Sequence, residues 1–318
     1  MNIKLSDHFT YKKLLRFCLS PIIMMVFTSI YGVVDGLFVS NYVGKTAFAA
    51  INLVMPFIMI FGGIGFMFGT GGSALVAKTL GLKDSENANR YFTMMSLVTL
   101  VVGIIISIVG MIFMRPIAIF LGAENETIEH CVIYGRIIIG FNTAFMLQNL
   151  FQSFLITAEK PKLGLWVTVA AGVTNMACIG GLLPFIYFLR PNNSLLRFVK
   201  TKIEFRPVID ASANGASELV SNVTASIVGM LYNYQLLKYA GEDGVAAYGT
   251  LMYVEFIFIS VFIGYAIGSA PIISYHFGAD NHAELKNMLK KSLILMSLAG
   301  VAMLIISEAL AFPLAHIF

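Results

Sequence analysis

Apolar positions along this chain fall in long unbroken blocks rather than in alternation or in amphipathic stripes. Eight blocks stand out, at residues 14–40, 47–77, 91–114, 131–157, 163–189, 208–237, 246–275 and 292–311. Each is near or above the roughly 20 apolar residues that a helix needs to cross a hydrocarbon core of about 30 Å. In lipid only helices or closed barrels satisfy the backbone, and runs of this length without period-two alternation predict helices. The expected fold class is therefore all-α, a polytopic transmembrane helical bundle.

Composition removes the main alternative. Hydrophobic residues make up 58% of the chain and charged ones 12%, with a mean hydropathy of +0.83; that is about half the charged share of a soluble domain, so no soluble core could bury these blocks. The basic start followed by an apolar run looks like a signal peptide, but the run reaches Ser40, carries Asp35 and has no small-residue cleavage site, which predicts a retained first span. Cys18, Cys131 and Cys178 lie isolated in or beside apolar blocks, without the spacing of a zinc site or a disulfide framework, and read as packing residues.

The net charge of +4 is small and sits in short connectors, which excludes nucleic acid as a partner and instead assigns sides. Lys4, Lys12, Lys13 and Arg16, then Lys78, Lys83 and Arg90, then Lys160 and Lys162 all fall on one side if spans alternate, and that side is cytoplasmic. Opposite them lie 41–46, with Lys45 alone, and 115–129, with Arg115 against Glu124, Glu126 and Glu129. A single crossing by 163–189 would then place Arg190, Arg197, Lys200, Lys202 and Arg206 on the wrong side. Its 27 residues are too few for two full helices. The expectation is that about one helix of sequence is absent between Asn175 and Gly181.

An internal repeat points the same way. Residues 44–90 laid without gaps over 241–287 pair Gly44 with Gly241, Ala49 and Ala50 with Ala246 and Ala247, Met55 with Met252, Ile60 and Phe61 with Ile257 and Phe258, Gly71 with Gly268, and Gly81 with Gly278. Two like-facing copies need an even number of crossings between their equivalent points, whereas the blocks supply an odd number.

The stretches 29–57 (SIYGVVDGLFVSNYVGKTAFAAINLVMPF), 151–172 (FQSFLITAEKPKLGLWVTVAAG) and 241–279 (GEDGVAAYGTLMYVEFIFISVFIGYAIGSAPIISYHFGA) resemble the MATE (multidrug and toxic compound extrusion) family, in a Firmicutes-like bacterial branch. The resemblance implies a two-lobe architecture of the MOP superfamily, twelve helices in all, exporting drugs or organic cations by alternating access in exchange for Na⁺ or H⁺. Mapped on this chain, it implies an N-terminal transmembrane lobe at 1–189 with a remnant of the sixth helix and a basic cytoplasmic connector at 190–207. The remainder, 208–318, would be a partial C-terminal lobe holding the first three helices of the second repeat. It also implies a bacterial cell-membrane location with a cytoplasmic N-terminus, no enzyme activity, no cofactor beyond the coupling ion, and weak or silent export by a chain short of helices.

Candidate site residues are the polar groups inside the apolar blocks. Asp35 has no basic residue within a helical turn, and a carboxylate facing lipid there costs on the order of 3 kcal/mol, a penalty offset by binding Na⁺ or a proton. The resemblance makes Asp35 a coupling residue and places Asn175 beside it, while the acid expected four residues after Asn175 is Ile179 here. Asn142, Gln148, Asn149 and Gln152 crowd one apolar block, where helix-to-helix hydrogen bonding competes with substrate binding as their role. Glu218, with Asn222 one turn later, and Glu255 are further candidates for a cationic substrate or a proton. A lipid or lipid-linked-sugar flippase of the same superfamily would need several basic residues in a central cavity, and Arg136 alone lies well inside a block. No intramembrane enzyme motif occurs. A membrane-inserted remnant without activity is the remaining alternative.

Overall fold

The computed structural model describes residues 3–42, 45–123, 126–174, 177–190 and 194–317, with side chains described outside 35–53, 241–247, 310–317 and a few adjoining positions. Its helices are α1 (Tyr11–Tyr42), α2 (Lys45–Gly81), α3 (Ser85–Phe120), α4 (Glu126–Gly140), α5 (Asn142–Thr157), α6 (Pro161–Val173), α7 (Ala177–Leu189), α8 (Phe205–Gly278) and α9 (His282–Ile317). Tyr11–Tyr31, Phe57–Gly81, Ser85–Phe120, Glu255–Gly278 and His282–Ala309 are each long and apolar enough to cross a membrane. The block 131–157 is a bent pair, α4 and α5 meeting at 44°, and makes a sixth such span.

The 74 helical residues of α8 do not form one rod, which would be about 110 Å long. The rings of Tyr232 and Tyr248 stack at 5.3 Å, whereas sixteen residues of straight helix would hold them about 24 Å apart. The chain therefore doubles back between Tyr232 and Tyr248, in keeping with the two arms expected at 208–237 and 246–275. Both arms pack along α2: a Cβ on Gly215 would overlap the Met67 carbonyl, one on Gly71 the Ala211 carbonyl, and one on Gly278 the Lys78 carbonyl.

The block 163–189 requires a correction. Instead of one crossing it forms two helices of 13 residues each, about 20 Å long. Helix α6 runs antiparallel to α5, with Gly164 against Leu155 and Thr168 bonded to Gln152. Helix α7 then runs parallel to α5, with Gly181 at Ala144 and Leu147 and with the Phe188 ring 6.0 Å from that of Phe151. The pair enters the bundle and leaves by the same end. Connector 194–204 accordingly lies on the amino-terminal end of α3: the Arg197 amide donates to Asn89 Oδ1 at 2.7 Å and the Val199 amide to Thr93 Oγ1 at 3.0 Å. The connector thus shares an end of the bundle with the basic turn between α2 and α3, and the assumption of full-length helices fails.

At this basic end Phe92 is wholly buried, with the rings of Phe154, Phe188 and Phe198 each 4.9 Å away. Desolvating such rings is the largest apolar contribution a residue can make, and it fixes α7 and the connector to α3 and α5. An N-terminal strap, 3–10, closes the same end with Leu5 and Phe9 buried. The Leu5 amide donates to Glu159 at 2.7 Å, the Phe9 amide to Glu284 at 2.9 Å, and His8 Nδ1 pairs with Glu284 at 2.6 Å. Burial pushes the Glu159 carboxyl up, against the opposing pull of the Leu5 amide.

The repeat is closest at the turn. Helix α2 ends at Gly81 and α8 at Gly278; Lys83 and Asp280, equivalent in the repeat, both adopt left-handed backbone at φ 63° and 54°. Asp84 Oδ1 accepts the Asn87 amide at 3.0 Å, and its counterpart Asn281 Oδ1 accepts the Glu284 amide at 3.1 Å. Contacts are reciprocal too, Gly81 against the Tyr275 carbonyl and Gly278 against that of Lys78. These pairings define a pseudo-two-fold axis between like-facing copies.

Candidate functional site

The inner ends of α6 and α7 stop at the level of Gln148, roughly 14 Å along α5 from Thr157 and so about half of a hydrocarbon core deep. Non-helical backbone is tolerated at such depth only when protein or a cavity surrounds it. Here glycines let the hairpin nestle in: a Cβ on Gly172 would strike the Phe27 ring, and one on Gly180 the Gln148 amide. Between α1, α5 and α6 remains a cavity of about 80 Å³, lined by Phe27, Thr28, Tyr31, Phe145, Gln148, Thr168, Ala171 and Gly172. Gln152 Nε2 donates to Thr168 Oγ1 at 3.2 Å beneath it and holds that hydroxyl in place.

Of the sequence candidates, Gln148 lines this cavity. The Asp35 side chain lies outside the described residues; its backbone sits on α1 four residues after Tyr31, one helical turn along the same face. Asn175 also lies outside them, between Thr174 at the end of α6 and Ala177 at the start of α7. Asn142 and Asn149 are buried in helix packing away from the cavity lining. Asn142 Nδ2 reaches only the weak acceptor Met146 Sδ at 3.4 Å, while Asn142 Oδ1 and Asn149 Nδ2 have no partner among the described residues. Such orphaned groups are uncommon in native interiors.

Glu218 and Asn222 are elsewhere, on the first arm of α8. Asn222 Nδ2 donates to the Glu218 carbonyl at 2.7 Å, and Gly63 of α2 makes room for Asn222 and Leu219. Glu255 is exposed at the start of the span Glu255–Gly278. Arg136 is exposed and donates from Nε to the Met111 carbonyl at 3.1 Å, so its guanidinium is not in the cavity. Among the described residues no group of three His, Cys, Asp or Glu side chains is placed to hold a metal. Sequence reasoning missed Thr28, Tyr31 and Thr168. The first two carried a usable signal, because Thr28, Tyr31 and Asp35 recur at helical spacing in an otherwise apolar helix.

A helical bundle with several apolar spans, a two-fold repeat and a polar pocket at mid-depth defines a multi-pass membrane protein of transporter type. The MatE family model matches residues 21–179 and 219–318, and the chain belongs to that family. It is 25% identical over 320 residues to "Multidrug export protein MepA" of Staphylococcus haemolyticus (strain JCSC1435), covering 92% of this chain and 69% of that protein. To the protein of the same description from Staphylococcus aureus (strain NCTC 8325 / PS 47) it is 22% identical over 334 residues, covering 96% and 72%. Among solved structures, a MATE protein in complex with MaL6 aligns at a TM-score of 0.90 with 18% identity, covering 98% of this chain and 75% of that one. The outward-facing conformation of a multidrug resistance MATE family transporter of the MOP superfamily also aligns at 0.90, with 18% identity, covering 98% and 74%.

Proposed function

We propose that this protein is a cation-coupled exporter of drugs or organic cations, a transporter rather than an enzyme, in which the cavity at the hairpin tip is the coupling site. The observation that carries the reading is that Thr28 and Tyr31 of α1 meet Gln148 and Thr168 beside a mid-depth hairpin, with Asp35 one helical turn further along α1. A drug-sized ligand needs about 300–1,000 Å³. The cavity of about 80 Å³ instead suits a small cation with a water or two. Asp35 would supply its charge, binding either Na⁺ or a proton. Loss of the acid at Ile179 leaves that site one carboxylate poorer and its cation more weakly held.

The exported compound would then meet Glu218, Asn222 and Glu255 on α8, outside the coupling cavity. The basic end faces the cytoplasm under the positive-inside rule, and the strap closes it in this conformation. Alternating access requires that Glu159 and Glu284 release the strap amides when this end opens. Support for drugs as cargo comes from the multidrug export proteins the chain resembles; against a phosphate-carrying flippase stands the position of Arg136 at the surface.

The test is accumulation of ethidium, a lipophilic cation, in an efflux-deficient host expressing this chain or Asp35→Asn at matched membrane levels. Cells with the wild-type chain should accumulate less dye than vector controls, and Asp35→Asn should abolish the difference. Undiminished export by Asp35→Asn would remove the coupling site from the proposal.

A further inference from the structure

Apart from the mid-depth cavity, a groove of about 870 Å³ lies at the basic end, between the start of α3 and connector 194–204. Four cations line it, Arg90, Arg197, Lys200 and Lys202, against one acid, Glu86. Arg90 pairs across the rim with Glu204 at 2.8 Å. Arg197, Lys200 and Lys202 are exposed and have no carboxylate within ion-pair distance among the described residues. Cations converging without counter-charges repel one another and favour an anionic occupant.

The walls are built rather than draped. The two connector amides are held by Asn89 and Thr93, Asn89 Nδ2 donates in turn to the Ser85 carbonyl at 2.7 Å, and Phe198 is locked among Phe92 and Phe185. The backbone is fixed while the cationic tips stay free to close on a ligand.

Depth identifies that ligand. The groove floor, Ser85–Arg90, is the polar first turn and a half of α3 and immediately precedes the apolar block 91–114, so the groove opens just outside the hydrocarbon boundary. Three large apolar side chains flank its basic residues and remain exposed: Leu195 at 44%, Ile203 at 50% and Phe205 at 79%. Free phosphate has no use for them, whereas the acyl chains of a lipid do. Basic pockets on the cytoplasmic side of membrane proteins hold anionic headgroups by this combination.

We propose that this groove binds the phosphate headgroup of an anionic phospholipid, with Arg197, Lys200 and Lys202 as its ligands and Leu195, Ile203 and Phe205 against the acyl chains. The lipid would tie the connector between the two repeat copies to the membrane surface.

The experiment is titration of the detergent-solubilised protein with phosphatidylglycerol, with phosphatidylcholine of the same acyl chains, and with inorganic phosphate, read by native mass spectrometry and by thermal midpoint. Phosphatidylglycerol should bind at least tenfold more tightly than phosphatidylcholine and raise the midpoint. The triple change Arg197→Gln, Lys200→Gln, Lys202→Gln should lose at least tenfold of that affinity without lowering the lipid-free midpoint, while Lys286→Gln with Lys290→Gln, on another basic connector, should lose none. Equal affinity in the triple variant, or equal loss in the Lys286 and Lys290 variant, would overturn the site. Inorganic phosphate binding as well as the lipid would overturn the assignment to lipid, and an unstable triple variant rescued by Arg197→Lys without any gain in lipid affinity would reassign these residues to folding.

Discussion

Residues 44–90 and 241–287 are two copies of one design in two different surroundings. Their turns coincide down to the left-handed residue, the helix cap and the glycine that touches the opposite copy's backbone. Beyond the turn the copies part. In the first copy α3 is covered by α4 and α5, and Phe92, met also by Phe188 of the hairpin, is fully buried. In the second the equivalent residue, Leu289, is 61% exposed, and no residue from 289 to 309 is buried. Backbone geometry at the turn is thus set locally, by caps and glycines, while helix burial is set by what the rest of the chain lays against it.

The contrast between the copies is greatest at Phe92 and Leu289. Phe92→Ala leaves a void among four rings and should cost about 3–5 kcal/mol in a detergent unfolding measurement, whereas Leu289→Ala, on an uncovered face, should stay within about 0.5 kcal/mol. Equal losses would mean that α9 packs in solution as α3 does. Next come the glycines, where the copies meet. Gly81→Ala and Gly278→Ala each set a Cβ into a backbone carbonyl and should cost about 1–3 kcal/mol alike. Gly229→Ala meets nothing within 4 Å and should gain up to about 1 kcal/mol of helix propensity.

The smallest effect separates the caps by chemistry. Asp84→Ala and Asn281→Ala should lower the thermal midpoint by similar small amounts, since both remove a side-chain acceptor for a helix amide. Only Asp84 titrates, and the Asn87 amide holds its carboxyl below the ordinary aspartate range. Its depressed value means that the cap's ionic contribution is present above the ordinary aspartate pKa and is lost as pH falls through the lowered one. Asp84→Asn should flatten that acid-side slope in the midpoint-versus-pH curve, and Asn281→Ala should leave the slope as it was.

Most of the long apolar spans and the repeat were legible because each rests on a local property: length of apolar runs and glycine register. The hairpin was half legible. Misplaced Arg190 to Arg206 showed that something returns the chain, but hydropathy cannot distinguish one crossing from two shallow arms, since both are 27 apolar residues around Asn175. Candidate site residues fared by orientation. The polar residues of α5 are spread around the helix, so nothing in its sequence told that Gln148 would line the cavity while Asn142 and Asn149 packed away from it. Helix α1 was readable at Thr28, Tyr31 and Asp35, where spacing alone marks a face.

Because the α6–α7 hairpin departs through the face by which it arrived, it acts as a detour: lengthening both arms equally would sink it deeper and leave α8 and α9 where they are. Lengthening one arm alone until it broke through would invert both. Two shallow arms and two complete helices are thus interchangeable to the downstream chain, and a segment can shrink here by a helix's worth of residues without turning the rest of the protein inside out.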